Sequence, residues 1–275
     1  MPVGALGELK PLLDEARADP QRPRLYLGIR DVLDRPEVIK SVWRDVGAYD
    51  YLPAYDAVLV YGSEEMLDAA SEYGLKPHAR EVVSCNFVAT EPEWLTPADP
   101  AEEPLVLIMG GGGADLYPVA KTFLAALPML LAETSLRAAV LPGPHMPSAQ
   151  LDTLTEMAKG YPVEVLRGFE DATAWLNRAA AVVMMAGYNS VCEVMTFRKK
   201  ALVIPRSGPS AEQRIRTKLF SERGLIHALD PDELSATRLT TEIIRLLEDE
   251  NLPDRAAIPR LDGARRAADV LLGGV

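Results

Sequence analysis

Short apolar runs recur along the chain, each followed by a turn and then by a stretch with apolar positions three and four apart. Residues 57–61 (AVLVY), 105–109 (LVLIM), 137–141 (RAAVL), 181–185 (AVVMM) and 201–204 (ALVI) read as strands buried on both faces. Residues 25–29, 81–88, 163–166 and 225–229 read as further strands. Helical spacing marks 6–17, 37–46, 64–73, 117–133, 150–159, 212–223, 233–250 and 264–272, with Ser63 as an N-cap for the third of these. Strand and helix alternate, which predicts parallel sheets with crossover helices, an α/β fold. The segment 90–104 (TEPEWLTPADPAEEP) breaks the pattern with prolines and acids and reads as a linker. The expected organisation is therefore a first α/β domain at 1–92 with three strands, a linker at 93–104, and a second α/β domain at 105–275 with about six strands. An open doubly wound sheet usually has more than three strands, so the first domain is expected to be incomplete.

The stretch 181–206 (AVVMMAGYNSVCEVMTFRKKALVIPR) concentrates the candidate chemistry. A strand ends at Ala186-Gly187-Tyr188, and Asn189 or Ser190 then caps a helix. A helix start presents unpaired N–H groups and the positive end of the helix dipole, a setting that suits phosphate. Glu193 lies one turn further in, within reach of a sugar hydroxyl beside such a phosphate. Read alone, the stretch is equally an ordinary βαβ unit. A second turn, Gly110, Gly111, Gly112 and Gly113 followed by Ala114-Asp115, also joins a buried strand to a helix. Its glycines let backbone N–H groups approach a phosphate without a Cβ in the way. No Gly-Lys-Ser/Thr follows, so it is not a Walker A loop. Asp115 replaces the third glycine of a dinucleotide fingerprint, and no acid closes the next strand, which disfavours a nicotinamide dehydrogenase. Phe169-Glu170-Asp171 and Glu212-Gln213 also follow strand ends; Asp171 doubles as an N-cap, and the latter pair as a solvated first helical turn.

Net charge adds exclusions. The chain of 275 residues carries a formal −11, which argues against binding a nucleic-acid backbone or anionic lipid by charge alone. Cys85 and Cys192 lie far apart, so neither a disulfide framework nor a zinc site is implied, and a cytoplasmic setting fits. No apolar run is long enough to span a membrane, and no signal peptide opens the chain.

The order of these pieces, from Phe169 through VVMMAGYNSVCEVMTFRKKALVIPR to Glu212-Gln213, resembles the donor half of glycosyltransferase family 28, typified by the N-acetylglucosaminyltransferase that completes the peptidoglycan lipid precursor. GGGGAD resembles that family's glycine loop at the phosphates. The resemblance implies a GT-B-like fold of two Rossmann-type domains and a nucleoside-diphosphate sugar, UDP-linked, as donor substrate. It implies transfer to an acceptor hydroxyl without metal or other cofactor. It places Phe169 beside the base, Asn189 and Ser190 at the diphosphate, Glu193 on the ribose and Gln213 on the sugar. Glu212 stands where the peptidoglycan enzyme has a glutamine, so the sugar preference does not carry over. LGIRDVLDRPEV and AVLVYGSEEM resemble the acceptor side of bacterial members, in which further residues with a glycine loop and histidine precede this point.

His78, His145 and His227 do not lie in a comparable loop and read as surface or loop histidines. Asp31, at the end of a first-domain strand, is the candidate base for the acceptor hydroxyl; capping the next helix or holding Arg30 are its other readings. The acceptor is not specified. A homodimer, a partner acceptor subunit, and a donor-binding chain inactive by itself all remain open.

Overall fold

The computed structural model describes residues 1–90, 103–112, 115–166 and 172–273. Gly113, Phe169, Asp171 and most of the expected linker lie outside these residues. The chain divides into two units, Met1–Ala89 with Pro259–Val275, and Thr90–Ile258.

In the first unit, helix α1 (Lys10–Ala18) precedes strand β1 (Tyr26–Arg30) and helix α2 (Pro36–Asp45). A 3-10 segment (Tyr49–Ala54) leads to β2 (Ala57–Tyr61), then α3 (Ala69–Glu72) and β3 (Val82–Ser84). The strands pair in parallel in the order β1-β2-β3. Trp43, Tyr49, Leu52, Tyr73 and Leu75 pack on one face. Helix α3 is much shorter than the spacing suggests. The reason is Asp68, whose carboxylate accepts from the Ser71 N–H (3.0 Å) and restarts the helix five residues after Ser63.

The other face of this sheet holds the main departure from the expected organisation. The last helix, Gly263–Leu271, was expected in the second domain but belongs to the first unit. Its Ala267 and Val270 pack with Ala57, Leu59 and Cys85. The approach is close: Gly263 donates its N–H to Phe87 O (2.9 Å), and Asn86 Nδ2 donates to Asp262 Oδ1 (2.8 Å). A Cβ on Gly263 would lie 2.7 Å from two backbone carbonyl oxygens, so glycine is needed there.

The second unit runs β4 (Leu105–Met109), α4 (Tyr117–Glu133), β5 (Arg137–Leu141), α5 (Ser148–Met157), β6 (Val163–Val165), α6 (Ala172–Arg178), β7 (Ala181–Met184), α7 (Tyr188–Thr196), β8 (Lys200–Val203), α8 (Glu212–Ser221), β9 (His227–Ala228) and α9 (Ala236–Glu248). The C-terminal helix of the first unit is then α10. All six strands are parallel, in the order β6-β5-β4-β7-β8-β9. Every residue of β4 and β7 is buried, as strands covered on both faces require. Phe123, Leu124 and Leu127 of α4 share a core with Leu239, Ile243 and Leu246 of α9. The chain goes outward from β4 through β5 to β6, then returns to β4's other side with β7. That reversal is a topological switch point, where ligands bind at the carboxyl ends of the strands in open α/β sheets.

Candidate functional site

The turns after β4 and β7 flank the switch point and meet there. A cavity of about 140 Å³ is lined by Gly110, Gly111, Gly112, Asp115, His145, Met185, Gly187, Ser190 and Gln213. The two turns are in near contact: a Cβ on Gly111 would lie 3.3 Å from Ser190 Oγ, and one on Gly187 would lie 3.7 Å from the same atom. Gly111 has φ +39, in the left-handed region that favours glycine. Gly110 serves another purpose, because a Cβ there would run into Leu116 at 2.6 Å.

Helix α7 starts without a side-chain cap. Gly187 is the N-cap in extended conformation, so Asn189 and Ser190 fall inside the first turn and do not cap it as expected. Asn189 is exposed and is not among the lining residues, whereas Ser190 is buried with its hydroxyl between the two glycine turns. The first-turn N–H groups of α7, which a helix cannot satisfy from within, therefore lie where the two turns meet. Glu193 is half-buried on α7 and does not line this cavity.

Gln213, in the first turn of α8, lines the cavity with one side of its amide committed. Its Oε1 accepts the Arg206 backbone N–H (3.0 Å). Its amide nitrogen has no acceptor among the described residues and remains a donor for a ligand. Glu212 has a different task. One carboxylate oxygen is 2.9 Å from Nη2 of Arg216, which is fully buried. Arg216 Nη1 donates to Ala186 O (2.8 Å), and the guanidinium lies 5.7 Å from the Tyr188 ring centre. Arg216 thus braces the turn that opens α7, and Glu212 balances its charge. Nothing in the sequence pattern marked Arg216; a cation four residues after Glu212 reads as a surface pair.

His145 was read as a loop histidine, and it is exposed in the loop after β5. That loop is bound to the glycine turn: the His145 N–H donates to Gly112 O (2.9 Å), and the imidazole Cδ2 would lie 3.4 Å from a Cβ on Gly112. The sequence does not reveal this, because the contact joins two strand ends. Across Asp115 and Met185 the cavity adjoins a second one of about 400 Å³, which Tyr117, Gln150, Ile204 and Arg206 also line. Gly113 and Phe169 lie outside the described residues.

Asp31 belongs to the first unit. It is buried at the end of β1, with its Cβ packed against the Gly62 turn. A cavity of about 380 Å³ in that unit, lined by Lys40, Trp43, Arg44, Tyr49, Gly74 and His78, lies at the carboxyl ends of α2 and α3, and so at the opposite edge of the sheet from Asp31. Among the described residues no cluster of His, Cys, Asp and Glu forms a metal-binding group, and no helix is long and apolar enough to cross a membrane.

No family model matches the chain. By sequence it is similar to the UDP-N-acetylglucosamine--N-acetylmuramyl-(pentapeptide) pyrophosphoryl-undecaprenol N-acetylglucosamine transferase of Pelobacter propionicus, 28% identical over 172 residues, 60% of this chain and 45% of that protein. The transferase of the same name from Trichlorobacter lovleyi is 27% identical over 124 residues, 43% of this chain and 32% of that protein. The chain spans less than half the length of these relatives. By fold it is similar to the glycotransferase of kitacinnamycin (TM-score 0.61, 17% identity, 100% of this chain and 67% of that one). It is equally similar to the calicheamicin glycosyltransferase (TM-score 0.61, 17% identity, 96% of this chain and 70% of that one). The fold is thus that of GT-B glycosyltransferases, and in sequence the chain is similar to family 28.

Proposed function

We propose that the second unit binds a nucleoside-diphosphate sugar, UDP-linked, and that the protein transfers its sugar to an acceptor hydroxyl without a metal. The observation that carries this reading is the meeting of two strand-end turns, Gly110–Gly112 and Gly187–Ser190, on one cavity at the switch point. Backbone N–H groups from a glycine turn and from the start of α7 converge there. Donors fixed in this way stabilise a leaving diphosphate as its charge develops, and need no reorganisation to do so. The names of the sequence relatives supply the donor class, a UDP-linked sugar.

In this reading Gly111, Gly112 and Ser190 adjoin the diphosphate, with Gly187 as the wall between them. Gln213 offers its amide N–H groups to the donor sugar. Glu193 reaches the ribose, Asn189 stands at the outer rim, and Phe169 and Gly113 complete the base and phosphate contacts. Glu212 braces Arg216 instead of binding the donor. Asp31 is the candidate base of the first unit, and a cytoplasmic location is part of the proposal. The three-stranded sheet of the first unit favours a second reading, a donor-binding subunit whose acceptor half comes from another chain or a second copy.

The deciding experiment measures both binding and turnover. Calorimetry with UDP, dTDP and GDP tests the donor site, and hydrolysis of a panel of UDP- and TDP-sugars tests catalysis. Binding with turnover that falls in Asp31→Asn supports the enzyme. Binding without turnover supports the subunit. Failure to bind any of the nucleotides overturns both readings.

A further inference from the structure

Resting on the donor site proposed above, we infer that Arg206 supplies the positive charge for the diphosphate, and that the diphosphate displaces Asp115 from it. Among the described residues lining the cavity formed by the two turns there is no lysine or arginine, and the one carboxylate is Asp115. A diphosphate entering such a cavity meets helix and backbone N–H dipoles but also a like charge. The repulsion needs a counter-charge, and the geometry provides one.

Arg206 Nη1 lies 3.2 Å from Asp115 Oδ2. Asp115 lines the diphosphate cavity and the larger one beside it, which Arg206 also lines, so the guanidinium is one side chain away from the phosphate position. The Arg206 backbone is fixed by Gln213 Oε1, so the residue that lines the phosphate cavity also sets where the arginine starts. Its Nε is buried and finds no partner among the described residues. A guanidinium has five donors in a planar fork suited to phosphate oxygens. Here at least one of those donors is unspent.

The Asp115–Arg206 pair is suited to exchange. The side chains keep 31% and 48% of their exposure for Arg206 and Asp115, and ion pairs this open to water hold weakly. A diphosphate carries more charge than a carboxylate and accepts more hydrogen bonds, so it outcompetes Asp115 for the guanidinium. As the sugar–phosphate bond breaks, the leaving diphosphate gains charge, and the same arginine then stabilises it further. Arg216, a fixed cation of this unit, is fully buried and bonded to Ala186 and Glu212, so it cannot take this part.

The test compares UDP with uridine, which shares the base and ribose but has no phosphate. Calorimetry is run on the whole chain and on Arg206→Gln, Arg206→Lys and Asp115→Asn. Arg206→Gln weakens UDP binding by roughly 10- to 100-fold, the span for losing charged hydrogen bonds, and leaves uridine unchanged. Arg206→Lys recovers part of that loss, a rescue that a purely structural side chain would not give. Asp115→Asn binds UDP more tightly than the native chain. Equal UDP affinity in Arg206→Gln, or equal weakening of UDP and uridine, removes Arg206 from the diphosphate. Weaker UDP binding in Asp115→Asn overturns the displacement. If the native chain binds neither UDP, dTDP nor GDP, the donor site itself fails, a result distinct from any of these.

Discussion

Gly62 and Gly111 both follow a buried parallel strand, and a side chain is excluded from each for a different reason. At Gly62, after β2, a Cβ would lie 2.7 Å from the Cβ of Asp31 and 2.9 Å from its Cα, so the neighbouring strand end fills the space. At Gly111, the nearest atom to such a Cβ is Ser190 Oγ at 3.3 Å, and a cavity opens beside it. One turn is closed by the protein, and the other is left open at the sheet's reversal. A glycine at a strand end is thus a packing residue or a ligand residue according to what its neighbour strand brings. Arg216 keeps the second kind open by bonding the Ala186 carbonyl ahead of α7.

The largest expected effect comes from removing that brace. Glu212→Ala removes one carboxylate partner of the buried Arg216, which costs the second unit up to about 3 kcal/mol of stability. The figure sits at the low end for buried pairs because Glu212 keeps 22% of its side chain exposed. Urea denaturation of the variant measures it. A loss near zero would mean that Arg216 is satisfied without Glu212, and that Glu212 is free to bind a ligand after all.

Next come the two glycines themselves. Gly62→Ala forces backbone and Cβ apart at a buried strand end and costs about 2 kcal/mol, within the range for overpacking. It leaves UDP affinity unchanged. Gly111→Ala strains a left-handed residue at a cost of about 1 kcal/mol and weakens UDP binding. The contrast is in which property moves: stability for one, affinity for the other. If both variants lose only stability, the turn after β4 is a packing turn as well.

Glu193→Ala separates the ribose from the phosphate part of the same site. Loss of a charged hydrogen bond to the ribose weakens UDP by about 1–3 kcal/mol. Uridine loses as much, because the contact is to the sugar. That parallel loss is the opposite of the split expected at Arg206. Unchanged affinity for both would remove Glu193 from the site, in keeping with its absence from the cavity wall.

The second unit was the more legible one. Its central strand β4 is short, apolar throughout and flanked by Pro104 and Gly110, and β4 and β5 match the sequence reading to the residue. Two features hid from that reading for the same reason. Periodicity shows that a helix is amphipathic but not which sheet it covers, so α10 was expected with the elements before it, while Ala267 and Val270 cover the first sheet. Likewise the spacing shows that His145 follows a strand, but not that its backbone N–H bonds Gly112. Ser190 misled in another way. A serine at a helix start is a natural cap, but its hydroxyl lies against Gly111 across the site. The local rule failed where the two turns meet, at the position the proposed chemistry needs.

The smallest effect concerns acid and two carboxylates of the first unit. In the first unit Asp56 is held below the usual carboxylate range chiefly by the Arg22 guanidinium, 2.7 Å away, and by the Leu25 N–H. Asp68 is held down to about 2 by the Ser71 hydroxyl, then by Lys76 and the Ser71 N–H. A depressed carboxylate adds stability that is fully present above its unfolded pKa, near 3.9, and is lost as the pH falls through the folded value. Both groups bind chain segments of the first unit, so acid weakens that unit between about pH 4 and pH 2. Trp43, buried in its core, reports on it once Trp94 and Trp175 are changed to Phe. Asp56→Asn in that background shrinks the acid sensitivity of the Trp43 signal, because the protonated form is then the only one. An unaltered acid transition would place the sensitivity at the other depressed carboxylates of this unit, Asp68 first among them.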